Sequence, residues 1–214
     1  MCSVPRWVLF SSLSAPILLV GGWAVSGELQ GPGYDPGSAT ISVLAADGAD
    51  GYWVMTSALL ALGACHVITA CGLRPAARAG RVVLAGGGLS AMLLAVFPAP
   101  SSGGSFAHGV VVAVAFSLLA IWPVLAVRRG EPARRTGAGR RADDGPRAAE
   151  PPWGLRTRPS TTAAALMWLG GAWFLLALFV LDSAGAAERA LTFAQSFWPL
   201  VVVLSCVRSG DRPE

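Results

Sequence analysis

The run FAHGVVVAVAFSLLAIWPVLAV, Phe106–Val127, holds no Asp, Glu, Lys or Arg and stops at Arg128 and Arg129. Wound as an α-helix it is about 33 Å long at 1.5 Å per residue, enough to cross a hydrocarbon core of roughly 30 Å. Lipid offers no water to backbone amides, so such a run is a helix, whose backbone groups pair within the segment. Five more stretches read the same way: Trp7–Val25, Val54–Leu73, Val82–Pro98, Thr161–Leu181 and Ala190–Val207. The whole chain of 214 residues is 54% hydrophobic and 13% charged, with a mean hydropathy of +0.58. That composition excludes an ordinary soluble domain. The expected fold is all-α: a polytopic membrane protein, a six-transmembrane-helix bundle.

Arginine gives the bundle a direction. All sixteen basic residues are Arg. Arg74, Arg78 and Arg81 lie between the second and third runs, and Arg128 to Arg158 crowd the gap between the fourth and fifth. Arg6 precedes the first run; Arg208 and Arg212 follow the last. By contrast, 26–53 has no basic residue and carries Glu28, Asp35, Asp47 and Asp50. The positive-inside rule then predicts cytoplasmic N and C termini, and an even number of spans requires both ends on one side. The basic balance belongs to membrane flanks, so no nucleic-acid partner is expected.

The expected organisation is four transmembrane helices over 1–127 with a structured outer loop at 26–53, an Arg-rich loop at 128–160, two more helices over 161–207, and a cytoplasmic tail at 208–214. The Arg, Ala, Gly and Pro of 128–160 cannot bury enough apolar surface to offset chain entropy, which predicts a disordered cytoplasmic loop. It reads either as a solvated connector or as a tether to anionic lipid headgroups, worth about 1 kcal/mol per Arg near the surface. An alternative for the first run is a secretory signal with Ala24-Val25-Ser26 at its processing site, which leaves five spans.

Small residues mark close helix contacts. Gly86 with Ser90, and Gly87 with Ala91, have the spacing that lets backbones approach. Pro16, Pro123 and Pro199 fall inside runs, where each removes a helical hydrogen bond. Trp7, Tyr52, Trp53 and Trp122 fall near run ends, as in an aromatic belt. Cys2, Cys65, Cys71 and Cys206 lack metal-ligand spacing and read as small packing residues.

Polar side chains at membrane depth are functional candidates by default. His66 and Gln195 are the intramembrane polar pair. His66 enters about 18–20 Å down its helix and His108 about 3–5 Å down its own, so the two cannot share a metal whose bonds are about 2 Å. His66 is expected to hydrogen-bond a neighbouring helix; a proton relay needs an acid at its depth, and no run supplies one. His108 meets the outer-loop polar residues, and a candidate ligand-binding rim gathers Tyr34, Asp35, Ser42, His108 and Asp182. The Gly31–Gly37 turns lead into Ser38–Ala45, expected as a short interfacial helix capped by Ser38. Asp35 reads either as a rim ligand or as an anchor accepting backbone amides.

The stretch Tyr34-Asp35-Pro36 with Ile41-Ser42-Val43-Leu44-Ala45, Gly72-Leu73-Arg74, Phe97-Pro98 and Ala107-His108-Gly109 resembles the domain-of-unknown-function 998 family of six-span bacterial membrane proteins. The resemblance covers nearly the whole chain. It implies a multi-pass protein of the bacterial plasma membrane and carries over no activity. It also implies an acid after the Phe-Pro pair, where this chain has Ala99 and Pro100. With no nucleophile–base pair evident, no catalytic residue, metal site or cofactor is assigned. The expected role is non-enzymatic: binding a lipid or small hydrophobic ligand, or acting as a membrane partner scaffold. The alternatives are a small-solute or proton-coupled transporter and an intramembrane lipid-directed hydrolase. A zinc hydrolase of the three-histidine kind lacks its ligands here.

Overall fold

The computed structural model describes residues 4–101, 103–128 and 150–210. Most of the Arg-rich loop, Ser102 and residues 211–214 lie outside them. Among the described residues every regular element is helical: α1 (Arg6–Leu29), α2 (Ile41–Leu44), α3 (Tyr52–Gly72), α4 (Arg78–Leu93), α5 (Phe106–Ala126), a 3-10 turn (Trp153–Leu155), α6 (Thr157–Phe179) and α7 (Ala184–Gly210). Five of these, α1, α3, α5, α6 and α7, are long and apolar enough to cross a membrane. α4 has 16 residues, about 24 Å. It starts at Arg78, before the expected Val82, and gives way to turns over Leu94–Val96, because Pro98 and Pro100 disfavour helical backbone in the residues before them.

The six longer helices form a ring in chain order, each packed on the next, and α7 closes it against α1. Neighbours alternate in direction, which sorts the connections to two ends. At the arginine end Ala77 N–H donates to the Ala126 carbonyl (3.0 Å) and Arg128 to the Arg74 carbonyl (3.1 Å). Arg81 donates to the carbonyls of Ala70 (2.7 Å) and Cys71 (2.6 Å), closing the last turn of α3. At the loop end Ser26 Oγ donates to the Gly51 carbonyl (3.2 Å) and Asp47 N–H to the Ala99 carbonyl (3.4 Å).

Large apolar side chains face outward all round: Phe179 is 80% exposed and Val82 71%, with Phe10, Leu169 and Val96 similar. Such a surface is stable against acyl chains and not in water. The protein is a membrane protein.

Gly63 and Gly88 let α3 and α4 meet backbone to backbone. A Cβ on Gly88 lies 2.6 Å from the Gly63 carbonyl oxygen, and one on Gly63 collides with the Gly88 carbonyl. Gly87 faces the other way, against Leu119 of α5, so consecutive glycines serve two neighbours. Pro16, Pro123 and Pro199 lie within α1, α5 and α7.

Apolar packing is split along the ring axis. The arginine end is filled by Val8, Leu73, Leu84, Trp122, Val202 and neighbours. Trp122, expected in the interfacial belt, is fully buried there, since its face of α5 turns toward the ring centre. The loop end is filled by Leu19, Ile41, Leu44, Met55, Leu59 and Leu62, so α2 is inserted among α1 and α3 rather than lying across the top. A third cluster, with Met167, Phe174 and Leu191, seats α6 against α5 and α7. The expected unstructured loop also ends early. Leu155 is buried, Gly154 N–H donates to Ser205 Oγ (3.0 Å), and Ser160 Oγ donates to the Gly154 carbonyl (3.2 Å).

Candidate functional site

The site begins with a turn. Asp35 Oδ1 accepts the Gly37 N–H (3.0 Å), and Oδ2 accepts the Ser38 N–H (3.2 Å) and Ser38 Oγ–H (2.8 Å). These bonds favour the ionised form and hold the Asp35 carboxyl below the usual carboxylate range. Asp35 is thus a loop anchor. Ser38, committed to Asp35, does not cap the next helix, and α2 spans only Ile41–Leu44 rather than 38–45.

α7 holds this loop down. Its first turn needs acceptors for unpaired amides, and Gly185 N–H finds the Ser38 carbonyl (3.1 Å) while Ala186 N–H finds the Gly37 carbonyl (2.8 Å). A side chain on Gly185 collides with the Pro36 and Ala39 carbonyls. Arg189 donates to those same carbonyls, at 2.7 and 2.8 Å, and to the Tyr34 hydroxyl. Its guanidinium lies 5.9 Å from the Trp23 ring centroid, within cation–π range. Burial pushes the Tyr34 hydroxyl above its ordinary value against the opposing pull of Arg189.

Sequence reasoning missed Arg189, although a signal was there. It is the one arginine in gaps otherwise free of basic residues, and the structure commits it to the loop.

Glu188 is one of the third outer loop's polar residues, which the sequence brings to the rim with His108, although sequence reasoning does not single it out as a ligand-binding residue. The expected sixth run opens at Ala190, whereas α7 opens at Ala184 and buries Glu188 at 4% exposure. Its carboxylate accepts the Ile41 N–H, capping α2 from another helix, since Thr40 makes no side-chain cap. An acid therefore lies inside the ring at its loop end, nearer the mouth than His66. Glu188, Thr192, Gln195 and Ser196 follow at i, i+4, i+7 and i+8, one face of α7.

His108 sits in the first turn of α5, its N–H on Ser105 Oγ (3.3 Å). Its Nδ1 is 2.8 Å from the Phe97 carbonyl oxygen and its Nε2 is 3.1 Å from Ser42 Oγ. A carbonyl can only accept, so Nδ1 carries the proton and Nε2 accepts from the Ser42 hydroxyl. Glu188 Oε1 is a longer 3.5 Å from Ser42 Oγ. The sequence showed no nucleophile–base pair; folding brings Ser42 and His108 together.

These groups stand at the head of a small cavity inside the ring, of about 50 Å³. Leu59, Leu62, Leu94, Val112, Phe116 and Leu119 wall it, and His66, Gln195 and Ser196 also line it. Gln195 Nε2 donates to the Phe116 carbonyl (3.0 Å), joining α7 to α5. His66 was expected to bond a neighbouring helix and does not. It is 1% exposed, and among the described residues neither ring nitrogen has a partner, because the imidazole borders the hollow rather than a polar helix face. Asp182 is exposed before α7 and does not line the cavity; Tyr34 and Asp35 support it from the loop. Among the described residues no group of three His, Cys, Asp or Glu is placed to hold a metal.

A family model described as a protein of unknown function, DUF998, matches residues 13–205. The chain belongs to the DUF998 family. Neither a curated protein nor a solved structure matches it. In this DUF998 protein Ala99, the position after Phe97-Pro98, lines the cavity, and the carboxylate that lines it comes from Glu188 of α7.

Proposed function

We propose that this DUF998 protein binds an amphipathic molecule in the loop-end cavity, one polar group at the head toward Ser42, His108 and Glu188, another reaching down toward His66, and its apolar part against the leucine walls. The observation that carries this reading is the His66 imidazole, buried with both nitrogens unpaired. Leaving a buried polar group unsatisfied costs about 1–3 kcal/mol, and a ligand polar group reaching it removes that penalty. Apolar walls with a few convergent polar groups are the usual make-up of a small-molecule site.

The setting in this reading is a bacterial plasma membrane, crossed six times with both termini in the cytoplasm. α4 and its following turns to Phe97 reach about 30 Å, and arginines gather at one end of the ring as the positive-inside rule requires. The 128–160 loop would then face anionic headgroups. Native mass spectrometry of the detergent-extracted protein tests the binding: a co-purifying amphiphile is expected, lost from His66→Leu. A wild-type protein that flies bare under conditions that preserve lipid adducts argues against it.

A second reading, a small-solute or proton-coupled transporter, draws on the polar face Glu188–Thr192–Gln195–Ser196. It needs a path through the arginine end, where Trp122, Leu84 and Val203 are fully buried. Flux in proteoliposomes that vanishes in His66→Ala would favour it.

A further inference from the structure

The pairing of Ser42 with His108 has the geometry of an activated nucleophile. Ser42 Oγ lies 3.1 Å from His108 Nε2, and the 2.8 Å bond from Nδ1 to the Phe97 carbonyl fixes the tautomer that leaves the Nε2 lone pair on the serine. Nucleophile, base and orienting acceptor are three of the parts such a site needs, with a backbone carbonyl in the orienting role. They come from α2, α5 and the segment after α4, so their meeting is a product of the fold and not of local sequence. Ser42 and His108 are each half-buried and line the cavity, within reach of whatever occupies it. Glu188 Oε1 lies 3.5 Å from the same Ser42 hydroxyl.

We infer that the protein is an acyl-transfer enzyme of the membrane, with Ser42 as nucleophile and His108 as general base, acting on a carboxylic ester presented at the head of the apolar cavity. This rests on the binding reading above and departs from the non-enzymatic role expected from sequence. Ser42 Oγ bonds to the ester carbonyl carbon while its proton moves to His108 Nε2. The tetrahedral adduct collapses, the bond from carbon to the leaving oxygen breaks, and that oxygen takes the proton from His108 and departs as an alcohol. Water then adds to the acyl-serine carbon, giving a proton to His108. The carbon–Oγ bond breaks, Ser42 recovers the proton, and a carboxylic acid leaves, giving up its own proton to water. A second alcohol in place of water gives transesterification by the same steps.

The test uses the full-length protein in detergent and a long-chain alkyl fluorophosphonate, which phosphonylates an activated serine with loss of fluoride. One phosphonate per chain is expected, mapped by peptide mass spectrometry to Ser42. Ser42→Ala should lose it, and His108→Gln should slow it by on the order of 10²-fold, as removal of a general base does. Mapping on the wild-type protein decides the matter even if a variant fails to fold. A wild-type chain left unlabelled after saturating exposure overturns the inference, as does a label on another serine or one that persists in Ser42→Ala. An unlabelled protein that still carries an amphiphile in native mass spectrometry sinks the catalysis and leaves the binding. A protein labelled at Ser42 that carries no amphiphile does the reverse.

Discussion

The arginine end and the loop end are built by the same six helices, yet they fill the middle of the ring in opposite ways. At the arginine end Trp122, Leu73, Leu84 and Val202 are fully buried and meet directly, so the ring is sealed by side-chain volume. At the loop end the filler is α2, four residues long, whose first amides, like those of any helix, need acceptors from outside. It borrows Glu188 as a cap, and the polar groups needed to hold it leave a hollow beneath. A sealed end tolerates no loss of volume, and even there Trp122 Nε1 is buried without a partner among the described residues; the hollow end gathers polar side chains around a space, with His66 unpaired beside it.

The sharpest way to break this contrast is to empty the sealed end. Trp122→Ala should destabilise the protein by about 3 kcal/mol, the usual cost of deleting a buried tryptophan, read as a lowered midpoint of thermal unfolding in detergent. Retention of wild-type stability would mean the arginine end is not tightly packed. Glu188→Ala should cost less, about 2 kcal/mol, because buried α2 amides lose their acceptor. Hydrogen exchange at Ile41 and Ser42 should rise while α5 and α6 stay protected; uniform loss of protection would count against a local cap.

His66→Leu sharpens the comparison from the other side. The imidazole has no partner to lose, so stability should stay within about 1 kcal/mol of wild type or rise, while bound amphiphile disappears. A large drop in the unfolding midpoint would show that His66 has a structural partner after all. Smallest is the effect at Asp35. Its carboxyl is held below the usual range in the folded loop, so its contribution is complete above the ordinary aspartate pKa and fades as pH falls through the depressed folded value. Limited proteolysis of the α1–α3 loop should therefore quicken at acidic pH in wild type, and Asp35→Asn should flatten that dependence.

The helices were legible because lipid demands uninterrupted apolar runs, and the Tyr34-Asp35-Pro36 turn was legible because Asp and Pro act locally. The ring order was not, since helices apolar on every face carry no stripe to say which side turns inward. Trp122 was misplaced for that reason. Glu188 was hidden by its own charge: Glu188-Arg189 looked like the end of a loop, although Glu188, Thr192, Gln195 and Ser196 repeat at helical spacing. Ser42 and His108 are separated by 66 positions, and the bond between them exists only once α2 has been drawn into the bundle.

Because α7 supplies the cap, the Arg189 clamp and the polar face, the α1–α3 loop has nothing to dock on until the last of these helices has left the ribosome. During synthesis that early segment must wait, exposed, for a partner made about 150 residues later. A nascent chain halted before Ala184 should be open to cleavage near Ile41 by membrane quality-control proteases, and release of the full chain should close that window.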